Sequence, residues 1–131
     1  MCNGFILTLF PLILFYSFTT KLCRNPSEFQ ALIPDYNSSV HKIQTKDGYN
    51  LISFRILPKN YSKNLKENIP VVFLMHGLGD SSDSFAISPD SLVFYFLEKG
   101  YEVWLGNNRG TKYSCSHISL KNNSKKFWDY S

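Results

Sequence analysis

The stretch Val71 to Phe85, VVFLMHGLGDSSDSF, holds the residues whose types and spacing point most directly to chemistry. A β-prone apolar run ends at Met75 and passes straight into His76-Gly77-Leu78-Gly79-Asp80. Gly77 and Gly79 permit backbone conformations that a Cβ would block. A loop leaving the carboxyl end of a parallel strand lies where open α/β sheets bind their ligands. Such a loop can aim a main-chain N–H at one point in space, and a fixed donor facing a developing oxyanion is what acyl transfer requires. His76, Gly77 and Leu78 form the candidate loop. A plain strand-to-helix turn, with glycines for tightness, is the competing reading.

Other chemistries find little support. The three cysteines, Cys2, Cys23 and Cys115, show no C-x-x-C spacing, so neither a zinc site nor thioredoxin-type redox work is expected. The chain carries a net charge of +4, but its lysines are scattered and not interleaved with aromatics in a stripe. That pattern describes a solvated basic face and argues against a nucleic-acid partner. Of its 131 residues, 44% are hydrophobic and 16% aromatic, which suits a folded core and excludes a disordered chain.

The elements that must position the loop can be read from both ends of the chain. Residues 1–20 contain no charged side chain and suit a signal peptide cleaved near Thr20, with an uncleaved anchor as the alternative. Residues 21–38 read as an N-terminal linker. Sequons at Asn37, Asn60 and Asn122 fall in loop-like segments after that leader, which fits N-glycosylation in the secretory pathway. In that compartment Cys23 and Cys115 can pair with each other or with cysteines outside this chain. The run VHKIQTKDGYNLISFRIL reads as a β-hairpin turning on Asp47-Gly48, a dipeptide whose two-residue turn needs positive φ at both positions. A polar linker follows from Pro58 to Ile69. PVVFLMH then reads as a parallel strand buried on both faces. SPDSLVFYFLEKG reads as a helix capped by Ser88 or Asp90 and stopped by Gly100, and YEVWLG as the next strand. The fold class is therefore α/β: an antiparallel hairpin followed by a βαβ unit.

From Ser39 to Ser131 the chain resembles the acid lipase family of α/β-hydrolases. The resemblance is carried by TKDGYNLISFRI, PVVFLMHGLGDSSDSF, LEKGYEVWLGNNRGTKYSCSHISL and KFWDYS. It implies the N-terminal part of an α/β-hydrolase sheet, incomplete as it stands, over residues 39–131. The implied activity is a serine lipase cleaving carboxylic esters of neutral lipids, triacylglycerols or steryl esters, at a lipid–water interface. It implies no cofactor, and a secreted or lysosomal location. By the same resemblance Leu78 N–H forms half of an oxyanion hole, Asp80 caps the following short helix with Asp83 in a capping box, and Arg109 is a buried ion-pair anchor. The chain departs from the family pattern at Gly79, commonly Leu, which loosens the loop, and at Cys115, where a basic residue is frequent.

The nucleophile such a site serves is not in this sequence. α/β-Hydrolases present it in G-x-S-x-G, followed by Asp and then His, and no G-x-S-x-G occurs here. Ser81, Ser82, Ser84 and Ser114 lack strand–elbow–helix context. His41 reads as a solvated hairpin side chain, and His117 as a loop residue with a hydrogen-bonding role. The expectation is thus an N-terminal fragment of a lipase without its triad. Alternatives are a catalytically inert truncated product, a lipid-binding half-domain, or another α/β-hydrolase such as an acyl-thioesterase. The sequence leaves oligomeric state open.

Overall fold

The computed structural model describes residues 23–61 and 69–130. The expected signal peptide over 1–20 and the middle of the polar linker lie outside these residues. Among the described residues no helix is long and apolar enough to cross a membrane.

The alternating apolar residues of the hairpin form β1 (Ser38–Gln44) and β2 (Tyr49–Ile56), paired antiparallel from Ser38↔Ile56 to Gln44↔Asn50. The connection differs from the expected two-residue turn. Gly48 takes φ 96°, and no non-glycine residue among the described residues takes a positive φ, so Asp47 does not. Instead Thr45 to Gly48 close the hairpin: Gly48 N–H donates to Thr45 O at 3.0 Å and Thr45 N–H to Tyr49 O at 2.8 Å. The longer loop asks for a left-handed backbone at one position only, the glycine, which spares Asp47 the strain. A Cβ at Gly48 would also meet the His117 ring at 2.8 Å.

The remaining strands are β3 (Val71–Met75), β4 (Glu102–Gly106) and the short β5 (Ser116–His117). The sheet order is β1-β2-β4-β3, with β5 on the start of β2. Only β3 and β4 are parallel, joined through α2 (Leu92–Glu98), so the expected hairpin and βαβ unit make one mixed sheet. α2 starts one residue after Ser91, not at the expected Ser88 or Asp90. Ser88 to Ser91 form a turn of their own, with Ser91 N–H donating to Ser88 O at 2.9 Å. Gly100 ends the helix as expected, at φ 82°, in a Schellman arrangement: its N–H donates to Leu97 O and Tyr101 N–H to Phe96 O.

One face of the sheet carries the core. Phe54, Ile56, Val103 and Leu105 are fully buried there against Val93 and Leu97 of α2. The N-terminal segment read as a linker joins them. Pro26–Gln30 is a helix, α1, opened by a capping box in which Ser27 N–H donates to Asn25 Oδ1 and Asn25 N–H to Glu28 Oε1. It delivers Phe29 and Ile33 to full burial, with the Phe29 ring stacked 4.1 Å from Phe54. A disulfide joins Cys23 to Cys115, with Cα atoms 5.6 Å apart, which is the first of the two pairings the sequence leaves open.

The opposite face corrects a second expectation. β3 is not buried on both sides: Val71, Phe73 and Met75 are 59%, 57% and 47% exposed, while Val72 and Leu74 turn to the core. Among the described residues β3 is an edge strand, paired with β4 alone. Further along this face Glu102 binds the Arg55 guanidinium through two contacts of 2.7 and 2.6 Å and accepts from Trp104 Nε1. His41 lies 4.6 Å from the Trp104 ring and is half-buried, so it is packed and not simply solvated.

The Arg55 hydrogen bonds hold the Glu102 carboxyl below the usual carboxylate range. A depressed folded value stabilises above the unfolded pKa of about 4.3 and is lost as pH falls through the folded value. Thermal melts from pH 7 downward are therefore expected to show stability falling below about pH 4.3. Glu102→Gln should flatten that part of the profile; an unchanged acid limb in the variant would remove Glu102 from the account.

Candidate active site

β3 and β4 run parallel and end in register, Met75 opposite Gly106. The next residues, His76 and Asn107, therefore leave the sheet side by side at its carboxyl edge, the edge where such sheets place ligands. His76 is 7% exposed. Its Nε2 faces the Asn108 N–H at 3.0 Å and must accept, so Nδ1 carries the proton and donates to Gly77 O at 2.7 Å. This neutral tautomer pins the loop's first peptide to the neighbouring strand end.

Beyond this anchor the loop turns into solvent. The Leu78 side chain is fully exposed, and among the described residues nothing accepts from its N–H. Gly79 adopts φ 75°, and nothing lies within 4 Å of a Cβ built there. The glycine therefore serves backbone conformation and not close packing, and a Leu would meet strain before it met a neighbour.

The acidic residues that follow differ from their expected roles. Asp80 precedes the N-cap position, Ser81, and its Oδ1 accepts from Ser81 N–H at 2.7 Å, a contact that holds its carboxyl low. The element it precedes is a 3₁₀ turn, Ser82–Phe85, whose third residue is Ser84. Asp83 falls one position short of a capping box and instead forms an ion pair with Lys112.

Sequence pattern assigns no task to Asn107, Asn108, Ser82 or Ser114. The structure gives them one, because Asn107 is buried and bonded to Ser82 and Ile52, while Ser114 Oγ donates to Asn107 O at 2.9 Å. The signal that could have found them is the register of the two parallel strands, which sequence pattern does not give. Arg109 acts as an ion-pair anchor, paired with Asp47 at the hairpin turn, but it is half-buried and not fully so. Its guanidinium lies 4.8 Å from the Tyr49 ring centroid and 5.4 Å from that of Tyr130. Tyr130 OH donates back to Arg109 O at 3.0 Å.

Together these segments line an open cleft of about 780 Å³, to which His76, Gly77, Leu78, Arg109, Trp128 and Tyr130 all contribute. Serine–histidine side-chain contacts among the described residues are Ser39–His41 and Ser119–His117, neither in the cleft. His117 has the hydrogen-bonding role expected: Nδ1 accepts from Ser119 and Leu120 N–H, so Nε2 donates to Asp47 O. No group of three or more His, Cys, Asp or Glu among the described residues could hold a metal. Of the sequon asparagines, Asn37 and Asn60 are exposed, whereas Asn122 is half-buried with its amide 3.0 Å from Cys23 Sγ.

Residues 31–89 match the model of a partial α/β-hydrolase lipase region. The chain is 42% identical over 98 residues to Lipase 1 of Drosophila melanogaster, covering 73% of this chain and 20% of that protein. It is 42% identical over 99 residues to Triacylglycerol lipase 1 of Arabidopsis thaliana, covering 74% and 24% respectively. To the gastric triacylglycerol lipase of Bos taurus it is 34% identical over 123 residues, covering 88% and 31%. The chain thus spans between a fifth and a third of the length of these relatives. Matched in its central region by the lipase model and along most of its length by lipases from insect, plant and mammal, the chain belongs to the α/β-hydrolase lipases, with the N-terminal part of their fold.

Proposed function

We propose that this chain contributes the oxyanion side of a serine lipase site that hydrolyses carboxylic esters of neutral lipids, triacylglycerol or steryl ester, at a lipid–water interface. One observation carries the reading: the N–H of the fully exposed Leu78, which has no acceptor among the described residues, just past the carboxyl edge of β3 on a loop whose root is fixed by His76. In acyl transfer that N–H stabilises the tetrahedral oxyanion together with the N–H following the nucleophilic serine. No G-x-S-x-G occurs in the 131 residues, so these residues alone are expected to turn over no ester. The test is a chimera in which residues 23–130, with the Cys23–Cys115 pair intact, replace the corresponding region of Drosophila Lipase 1. Hydrolysis of a fluorescent triacylglycerol above the level of a chimera lacking its nucleophile supports the proposal. A folded, monomeric chimera without turnover contradicts it.

A secretory route belongs to the same proposal. It is supported by the uncharged apolar leader, the sequons and the Cys23–Cys115 disulfide, which suits an oxidising compartment. Secreted or lysosomal material should carry N-glycans at Asn37, Asn60 or Asn122. Peptide-N-glycosidase should increase its gel mobility, and the Asn→Gln variant at each occupied site should remove one step. Unchanged mobility of secreted protein would contradict glycosylation.

A further inference from the structure

We infer that Asn107 is a positioning residue that locks the far end of the His76–Ser82 loop and so fixes the direction of Leu78 N–H. The inference rests on the reading of Leu78 as an oxyanion donor. Asn107 is 2% exposed, and its amide makes three hydrogen bonds. Oδ1 accepts from Ser82 N–H at 3.0 Å; Nδ2 donates to Ser82 Oγ at 3.1 Å and to Ile52 O at 3.3 Å. The orientation of the amide is unique, since Ser82 N–H can only donate and Ile52 O can only accept. No other side chain of this size offers both functions in one plane: Asp lacks the donor, and Leu lacks donor and acceptor.

The partners are themselves held. Ser82 and Ser114 are fully buried. Ser114 Oγ donates to Asn107 O and accepts from Ile52 N–H at 2.9 Å, tying the network to β2. At the other end of the loop, Asn108 N–H donates to His76 Nε2. One dipeptide following β4 therefore grips both roots of the loop, its side chain at Ser82 and its main chain at His76. Between the two grips the stretch around Leu78 has little restraint of its own: Ser81 N–H bonds Asp80 Oδ1 at 2.7 Å near the closing end, but Asp80 N–H to Gly77 O is a long contact of 3.4 Å, and nothing lies within 4 Å of a Cβ built at Gly79. With so little local restraint, the order of Leu78 N–H depends on the roots. Losing the Asn107 amide leaves Ser82 N–H and Ile52 O as buried polar groups without this partner, and the loop's closing end is the segment free to move out to water.

The test is ¹⁵N relaxation on the full chain, comparing wild type, Asn107→Ala and Ser82→Ala. Ser82→Ala removes one of the two Asn107–Ser82 bonds and keeps the backbone one, so it remains informative where the first variant fails to fold. In the wild type the Leu78 and Gly79 amides should show order parameters near the rigid value of about 0.85. In Asn107→Ala they should drop below about 0.6 while the β1 and β2 amides keep their wild-type values, with Ser82→Ala in between. Three results would overturn the inference: a loop already disordered in the wild type, loop order unchanged in whichever variants fold, or an equal loss of order across the whole sheet. None of these readouts depends on ester turnover. A clamp that holds beside an inactive chimera refutes the lipase proposal alone, and an active chimera beside an unmoved loop refutes the clamp alone.

Discussion

Leu78→Pro in a lipase completed around this chain is expected to lower kcat about 100- to 1000-fold, whereas Leu78→Ala costs much less. Proline deletes the backbone N–H, and it also biases Gly77 toward extended conformations. Alanine keeps the N–H and gives up only a side chain that lies wholly in solvent. The contrast separates a backbone donor from a side-chain contact. An ester substrate gains little from the donor before attack, because its carbonyl oxygen carries only partial charge; the tetrahedral oxyanion gains most. The loss should therefore fall on kcat more than on KM. Initial rates with a fluorescent ester on the wild-type, Ala and Pro chimeras decide the matter, and equal losses for the two substitutions would refute the donor role.

The second large effect is structural. Removing the Cys23–Cys115 disulfide, as Cys23→Ser with Cys115→Ser, is expected to cost about 2–5 kcal/mol of folding stability. The bridge spans 92 residues of sequence, so its loss frees most of the folded chain in the unfolded ensemble. It also releases contacts in the native state. Next to it Arg24 N–H donates to Lys112 O at 2.7 Å, and Lys112 in turn pairs with Asp83 of the 3₁₀ turn behind the loop. α1, with its buried Phe29, begins three residues after Cys23, and the buried Ile33 lies just beyond its end. Urea unfolding followed by tryptophan fluorescence should show a midpoint well below that of the oxidised wild type. A coincident midpoint would mean that the bridge adds nothing.

Much of the fold could be read from pattern alone because its signals are local. The alternation from Tyr49 to Ile56, the apolar run before His76 and the Gly100 stop each reflect a residue's own neighbourhood, and each is found in the structure. Failures came where a choice depends on distant partners. Asn25-Pro26-Ser27-Glu28 carries the spacing of a capping box, yet so short a helix is stable only because Phe29 finds Phe54 across the sheet. The apolar composition of β3 resembles a strand covered on both sides, but composition does not say whether a covering layer is present. The candidate site divides in the same way. His76-Gly77-Leu78 is legible as a loop with a donor to offer, since glycine and strand end are sequence features. Asn107 is not, because its task is set by the register that puts β4 beside β3.

In the completed enzyme Leu78 N–H should point at the oxygen of a tetrahedral intermediate. A crystal structure of the chimera, with its serine trapped by a phosphonate ester that mimics that intermediate, measures this directly. Leu78 N is expected at about 2.7–3.1 Å from the phosphonyl oxygen, with the second donor from the residue after the serine. A Leu78 N–H turned away from that oxygen, or separated from it by a water, would contradict the account.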